Sequence, residues 1–358
     1  MNTNPIEPAK GPDPSSPDSE RHGFSRRGFV GVAAATGMSL FAGAASASAA
    51  TPNGDDSLDE ALRHIAGFAG TFDSRFVQAN GIRQHIVIGG DGPPLLLIHG
   101  WPEDWFAWRY MMQPLAKHFT VIAVDQRGIG RTEKPSTGYD SATLANDQAA
   151  LMDALGYDRF AVAGHDTGYI IAYALAADHS ARVARAILME IPGPPVIAEG
   201  PPLFLDDATN DRLWHIPFNR VEDEMIVKMV GTYAQDYYRY EFAIQGGGFT
   251  PPEYAIQYYI HLYNRNRDTL RASFGLYRAW GETSIQNKAR AATMLTMPIL
   301  GIGGERSWGN LPGDAMRGIA TDVQTVVIPG AGHWLAEQAP EELVAAYTTF
   351  LEPYRAGA

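Results

Sequence analysis

The sequence predicts an α/β protein, a mostly parallel sheet with helices on both faces and an inserted helical lid. Three observations carry this. Short, continuously apolar runs alternate with helix-like stretches from residue 94 to residue 189. The alternation breaks in Pro192-Gly193-Pro194-Pro195 and Gly200-Pro201-Pro202, and a helical, aromatic-rich stretch follows to about Arg290. It then resumes at Met297. Unbroken apolar strands between helices are buried on both faces, which is the condition of a parallel sheet.

The elements follow in order. Ser25-Arg26-Arg27-Gly28-Phe29-Val30 is a twin-arginine pattern, followed by a weakly apolar Ala/Gly stretch and a small-residue cleavage site at Ala47-Ser48-Ala49. Residues 1–49 are therefore expected to be a twin-arginine signal peptide, with the protein exported to the periplasm or beyond the cell. The stretch is too short and too diluted by Gly, Ser and Thr for a span, which needs about 20 apolar residues. Phe76 to Gly90 is expected to be a hairpin turning at Asn80-Gly81. Pro94–Ile98, Thr120–Val124, Phe160–Ala163 and Ala184–Met189 are expected strands. Trp105–Phe119, Ser141–Leu155 and Tyr169–Ala177 are the expected helices between them. After the insertion come strands at Met297–Ile302 and Val323–Ile328 and a helix from Pro340 to Leu351. The expected division is a first core part at 50–195, a lid at 196–290 and a second core part at 291–358.

Composition excludes several functions. The net charge is -12, and the leader carries four acidic and four basic residues, so cleavage leaves that charge unchanged. An acidic chain without Lys/Arg runs is a poor nucleic-acid binder. There is no cysteine, which excludes disulfides, thiolate metal sites and a Cys nucleophile. No second apolar run long enough for a membrane span follows the leader.

The most informative motif is Gly164-His165-Asp166-Thr167-Gly168. It has the strand–turn–helix setting and glycine spacing of a nucleophile elbow, with aspartate where esterases carry serine. A carboxylate with a reference pKa of about 3.9 is ionised at neutral pH and attacks without a base. It suits an sp3 carbon bearing a strained or good leaving group, and the product is an ester that water must cleave. His99-Gly100-Trp101-Pro102 follows the first parallel strand. The N–H groups of Trp101 and Thr167 are the candidate oxyanion donors, each worth about 3–4 kcal/mol. Gly330-Ala331-Gly332-His333-Trp334 follows the last strand and offers His333 as the base for the hydrolytic water. His118 and His179 look like helix-end surface residues and His85 like a strand residue. Two carboxylates suit the acid that orients the base. Glu190 ends the strand before the insertion and is preferred, because it has no evident surface role. Glu305 is the alternative, although it adjoins Arg306 and has the character of a solvated loop residue.

Together these motifs resemble the α/β-hydrolase-fold epoxide hydrolases, over roughly residues 74–351. The phrases Met189-Glu190-Ile191-Pro192-Gly193-Pro194, Leu213-Trp214-His215-Ile216-Pro217-Phe218 and Phe274-Gly275-Leu276-Tyr277-Arg278-Ala279-Trp280 resemble the secreted bacterial Cif-type subgroup. That resemblance implies Glu190 as the acid, and His215 and Tyr277 as the pair that grips the epoxide oxygen. It implies a small-molecule epoxide as substrate and no cofactor or metal, and it is compatible with a homodimer; the aromatic load of the expected lid points to an apolar or aromatic-bearing epoxide. Two rivals stand beside it. A haloalkane or haloacetate dehalogenase shares the fold and nucleophile, but here Thr167 and Ile170 stand where those enzymes hold Trp or Arg, and Ile216 where the lid His is followed by Trp. A non-catalytic ligand-binding member would keep the lid without turnover.

Overall fold

The computed structural model describes Ile65, residues 67–195 and residues 205–357. The expected signal peptide and residues 196–204, the start of the expected lid, lie outside the described residues. Eight strands form one sheet in the order β1-β2-β4-β3-β5-β6-β7-β8. They are β1 (Phe72–Ala79), β2 (Ile82–Gly89), β3 (Pro94–Ile98), β4 (Thr120–Val124), β5 (Phe160–His165), β6 (Val183–Met189), β7 (Ile299–Gly304) and β8 (Val323–Ile328). β1 and β2 form an antiparallel hairpin, and β2 runs antiparallel to β4. All later pairings are parallel.

The hairpin turns where expected. Asn80 and Gly81 both have positive φ, the requirement of a two-residue type I′ turn. It starts earlier than expected, at Phe72, because the edge strand β1 is largely exposed and needs no apolar alternation. The strands between helices face two cores. Leu95, Leu97, Val121 and Ala123 enter one apolar cluster, and Leu96, Ile98, Ile122 and Val124 the other. Period-two side-chain alternation in a run apolar at every position produces that division.

Helices α1 (Arg109–Leu115), α2 (Ser141–Ala154) and α3 (Thr167–Asp178) connect the first strands. The helix expected over 105–119 is shorter. Asp104 caps a 3-10 turn at Trp105–Trp108, α1 follows, and the chain must then turn into β4 at Thr120. α2 starts where Asp140 accepts the Thr143 N–H. His118 and His179 are half-buried at the ends of α1 and α3, and His85 is buried in β2.

Between β6 and β7 the described chain is helical: α4 (Asp207–Leu213), α5 (His215–Phe218), α6 (Asp223–Thr232), α7 (Ala234–Gln245), α8 (Glu253–Tyr263), α9 (Arg267–Ser273), α10 (Gly275–Arg278) and α11 (Trp280–Arg290). α12 (Leu311–Met316), α13 (Leu335–Gln338) and α14 (Pro340–Ala356) complete the fold. Hydrogen bonds tie the insertion to the core. Tyr263 donates to the Glu103 carbonyl at 2.6 Å, and Tyr258 to the Asp104 carboxylate at 2.6 Å. Trp334 donates its indole N–H to the Phe242 carbonyl at 2.9 Å. No helix among the described residues is long and apolar enough to cross a membrane.

The parallel register places the site. Ile98 pairs with Gly164, His165 with Met189, Met189 with Ile302 and Gly304 with Ile328. The loops after β3, β5, β6, β7 and β8 therefore leave one edge of the sheet side by side. Trp101, Asp166, Glu190 and His333 lie on four of these loops, at the carboxyl ends where parallel sheets build sites.

Candidate active site

Asp166 sits between β5 and α3 with φ 51° and ψ −119°, outside the regions L-residues prefer. Such strain costs on the order of 1–3 kcal/mol and persists only where the surroundings enforce it. Two glycines enable it. A Cβ on Gly164 would stand 2.1 Å from the Gly168 carbonyl oxygen, and one on Gly168 would stand 2.2 Å from that of Ile98. β5 and α3 can approach this closely, and project the Asp166 side chain, only without those side chains. Oδ1 of Asp166 accepts the Trp101 N–H at 3.0 Å. Thr167 opens α3, where no helix carbonyl can accept its N–H. Both expected donors thus stand beside the aspartate, and the Trp101 bond is made.

Behind Asp166 lies His333. Its Nε2 is 3.6 Å from Oδ2 of Asp166, and its Nδ1 is 2.9 Å from Oε2 of Glu190. Glu190 is fully buried and also has positive φ, 64°. Its carboxylate accepts from the Gly304 N–H and, at 2.6 Å, from the Ser307 hydroxyl. Glu305, the alternative acid, is exposed and accepts instead from the Gly330 N–H at 2.7 Å. The structure brings Glu190, not Glu305, to the histidine.

The charges are mutually dependent. Burial disfavours the charged form of His333, but its hydrogen bonds and the charges of Asp166 and Glu190 outweigh burial and push its pKa up to about 10. Burial likewise opposes ionisation of Asp166, yet the imidazolium holds its carboxyl below the ordinary value. At neutral pH the resting triad is an imidazolium between two carboxylates.

The remaining wall comes from the insertion. His215, Tyr277, Asp166, Thr167 and His333 all line one cavity of about 230 Å³. The Trp101 ring stacks on His215 with centroids 5.7 Å apart and meets Tyr277 edge-on at 5.4 Å. This aromatic contact fixes the insertion pair relative to the oxyanion loop. Burial pushes the Tyr277 hydroxyl well above its ordinary range, so it remains an O–H donor. Burial lowers His215 to about 4, leaving a neutral ring. The other walls are mainly apolar, with Ile170, Ile191, Leu213, Ile216 and Trp280 among them.

Sequence reasoning missed three supporting residues. Ser307 holds Glu190. His165 donates its Nε2–H to the His333 carbonyl at 2.8 Å, with Glu103 3.3 Å from its other nitrogen. Glu241 lies 3.2 Å from Nδ1 of His215. Glu241 was traceable in principle, because it shares the buried spacing of Tyr237, Tyr238, Phe242 and Gln245 along α7.

A family model described as "alpha/beta hydrolase fold" matches residues 93–340. A soluble epoxide hydrolase from Corynebacterium sp. (strain C12) is 31% identical over 77% of this chain and 96% of its own length. A fluoroacetate dehalogenase from Burkholderia sp. is 32% identical over 50% of this chain and 59% of its own. Among solved structures, the epoxide hydrolase CorEH without ligand superposes with a TM-score of 0.73 at 29% identity, covering 79% of this chain and 99% of that one. With its sheet order, elbow and helical insertion, the chain belongs to the alpha/beta hydrolase fold family, among its epoxide hydrolase relatives.

Proposed function

We propose that this protein is an exported epoxide hydrolase that opens apolar epoxides to vicinal diols through an ester on Asp166. One observation carries the reading: a strained, ionised aspartate shares a small apolar cavity with a paired histidine base and two uncharged hydrogen-bond donors. In the first step a carboxylate oxygen of Asp166 attacks an epoxide carbon. The C–O bond breaks, and His215 and Tyr277 stabilise the charge developing on the oxygen. Esterification removes the negative charge 3.6 Å from His333, which had held its proton. Its pKa falls, its proton passes to solvent, and the neutral ring becomes a base for water. Glu190, held by Ser307 and Gly304, fixes that ring through Nδ1. Water adds to the ester carbonyl, the Trp101 and Thr167 N–H groups hold the oxyanion, and the diol departs.

Export rests on the twin-arginine pattern at Ser25–Val30, and fractionation of the expressed full chain tests it. A homodimer, compatible with the family resemblance, is tested by light scattering. The helical insertion serves as the lid. The deciding experiment is the intact mass of the His333→Gln variant after mixing with an epoxide or a haloalkanoate. Loss of the base should trap the ester. A gain equal to the whole epoxide supports the proposal, since ring opening expels no atom. A gain with loss of halide favours the dehalogenase reading, which the Burkholderia relative keeps in view. Binding with no adduct from either class favours the non-catalytic reading.

A further inference from the structure

Glu241 is unused in the steps above, yet it is buried beside one of the two groups that meet the epoxide oxygen. Its Oε1 lies 3.2 Å from Nδ1 of His215 and accepts the Gln245 amide N–H at 3.1 Å. Its Oε2 is buried and makes no well-formed hydrogen bond among the described residues, with the Trp214 indole N–H as its polar neighbour. The Gln245 amide also donates to the Arg212 carbonyl at 2.6 Å. Two proton arrangements are open to the pair, and the Arg212 carbonyl, which also faces the His215 ring as an acceptor, favours the first. If an ionised Glu241 accepts the Nδ1 proton of a neutral ring, Nε2 is bare and cannot donate to an epoxide oxygen. If Glu241 is a carboxylic acid, it donates to Nδ1, and Nε2 carries its proton on the cavity side. The second arrangement also spares a buried anion with an unsatisfied oxygen.

We propose that Glu241 is the proton reserve of ring opening, a buried carboxylic acid that holds His215 as its Nε2–H tautomer and refills Nδ1 when Nε2 gives up its proton. This rests on the epoxide hydrolase reading. The protons balance. As the Asp166–carbon bond forms and the epoxide C–O bond breaks, the alkoxide takes the Nε2 proton, Nδ1 takes the Glu241 proton, and Glu241 is left as a carboxylate. Hydrolysis of the ester by one water yields the diol, the Asp166 carboxylate and one proton; that proton, with the one His333 had released to solvent, restores the Glu241 acid and the His333 imidazolium. Glu241 touches no substrate; it is a positioning residue acting through His215.

The electrostatic setting agrees. Burial, as the largest cause, raises the Glu241 carboxyl to about 8 and lowers the His215 ring to about 4, which favours a neutral acid beside a neutral ring at neutral pH. The groups facing Glu241 are named in full. The Asp166 carboxylate raises its pKa, while the Gln245 hydrogen bond, the His333 imidazolium and a Trp214 indole hydrogen bond oppose the rise. Tyr237 and Tyr277 stay protonated.

The test follows ester formation by quenched-flow mass spectrometry in the His333→Gln variant, with an apolar epoxide, from about pH 6 to about pH 10, a window that brackets the Glu241 value of about 8. Ester formation should be flat near neutrality and fall, because a deprotonated Glu241 draws the proton to Nδ1, as pH rises above the intact protein's value of about 8, since the His333 charge that held the Glu241 carboxyl down is gone. Adding Glu241→Gln should slow ester formation about 100-fold at neutral pH and remove the alkaline fall. In Glu241→Gln with His333 intact, ester hydrolysis should keep its rate. A profile without an alkaline fall in the parent variant overturns the proposal, whether or not the second variant folds. So does a fall that persists in the double variant, or equal slowing of formation and hydrolysis. Absence of any ester in the parent variant sinks the epoxide hydrolase reading and this proposal with it.

Discussion

Replacing Glu190 by Gln separates the two chemical steps most sharply. The carboxylate takes three donors, the His333 Nδ1–H at 2.9 Å, the Ser307 hydroxyl at 2.6 Å and the Gly304 N–H. A carboxamide keeps the shape but must turn an N–H toward one of those donors. A charge-assisted hydrogen bond is worth about 1.5–3 kcal/mol, and a buried donor left unsatisfied costs about 1–3 kcal/mol more. A combined loss of about 3–5 kcal/mol is a slowing of roughly 10²–10⁴. Acid-to-amide changes in acyl-transfer triads fall in this range, at about 10⁴. The loss should fall on ester hydrolysis, because His333 then lacks both its orienting charge and its tautomer lock. Ester formation should change by less than about tenfold, since the Asp166 attack needs no base. Rapid-quench mass spectrometry would show an accumulating burst of covalent ester followed by slow decay. Unchanged decay of the ester would refute the role given to Glu190, as would an equal effect from Glu305→Gln.

Other outcomes are expected. Asp166→Asn should form no adduct by intact mass, because a neutral carboxamide is a poor nucleophile toward sp3 carbon. Tyr277→Phe should slow ester formation by about 10–100-fold and leave ester hydrolysis near its original rate in single-turnover assays, since one of two donors to the epoxide oxygen is lost. Ester hydrolysis should fall as pH falls, because it needs neutral His333; its midpoint should lie below the resting value of about 10, since the Asp166 charge has gone. A midpoint at or above 10 would contradict this coupling. Gly168→Ala should place a Cβ 2.2 Å from the Ile98 carbonyl oxygen, lowering stability by about 1–3 kcal/mol and the calorimetric melting temperature by several degrees.

The elements that position the site were legible because their physics is local. Gly164 and Gly168 announce a close strand–helix approach, and the Asn80-Gly81 pair announces a tight turn. Glu190 was legible by elimination, as a carboxylate following an apolar strand with no surface to serve. The lengths of two elements were less legible. β1 is an exposed edge strand whose residues carry little pattern, and the end of α1 is set by where β4 must begin. His215 and Tyr277 came from family resemblance, since no local feature separates them from the other aromatic residues of the insertion. Glu241 and Ser307 were missed for a different reason. Each acts on a residue far away in sequence, at separations of 26 and 117, so neither carries a local motif.

The arrangement of charge also bears on which bond the site is built to break. In the resting site Asp166 and Glu190 share one imidazolium, and His215, Tyr277 and the protonated Glu241 are uncharged. Attack on either substrate class consumes the Asp166 charge and so releases His333 for the second step. The two classes differ at the other wall. A departing halide is a weak base that needs hydrogen bonds but no proton. An epoxide oxygen becomes a strongly basic alkoxide and needs a proton as its bond breaks. A donor pair backed by a buried carboxylic acid meets the second demand and exceeds the first. Glu241→Gln should therefore penalise epoxide opening more than displacement of halide from any haloalkanoate the enzyme accepts. Equal loss on both substrates, measured as ester formed per unit time, would remove the chemical reason for placing an acid behind His215.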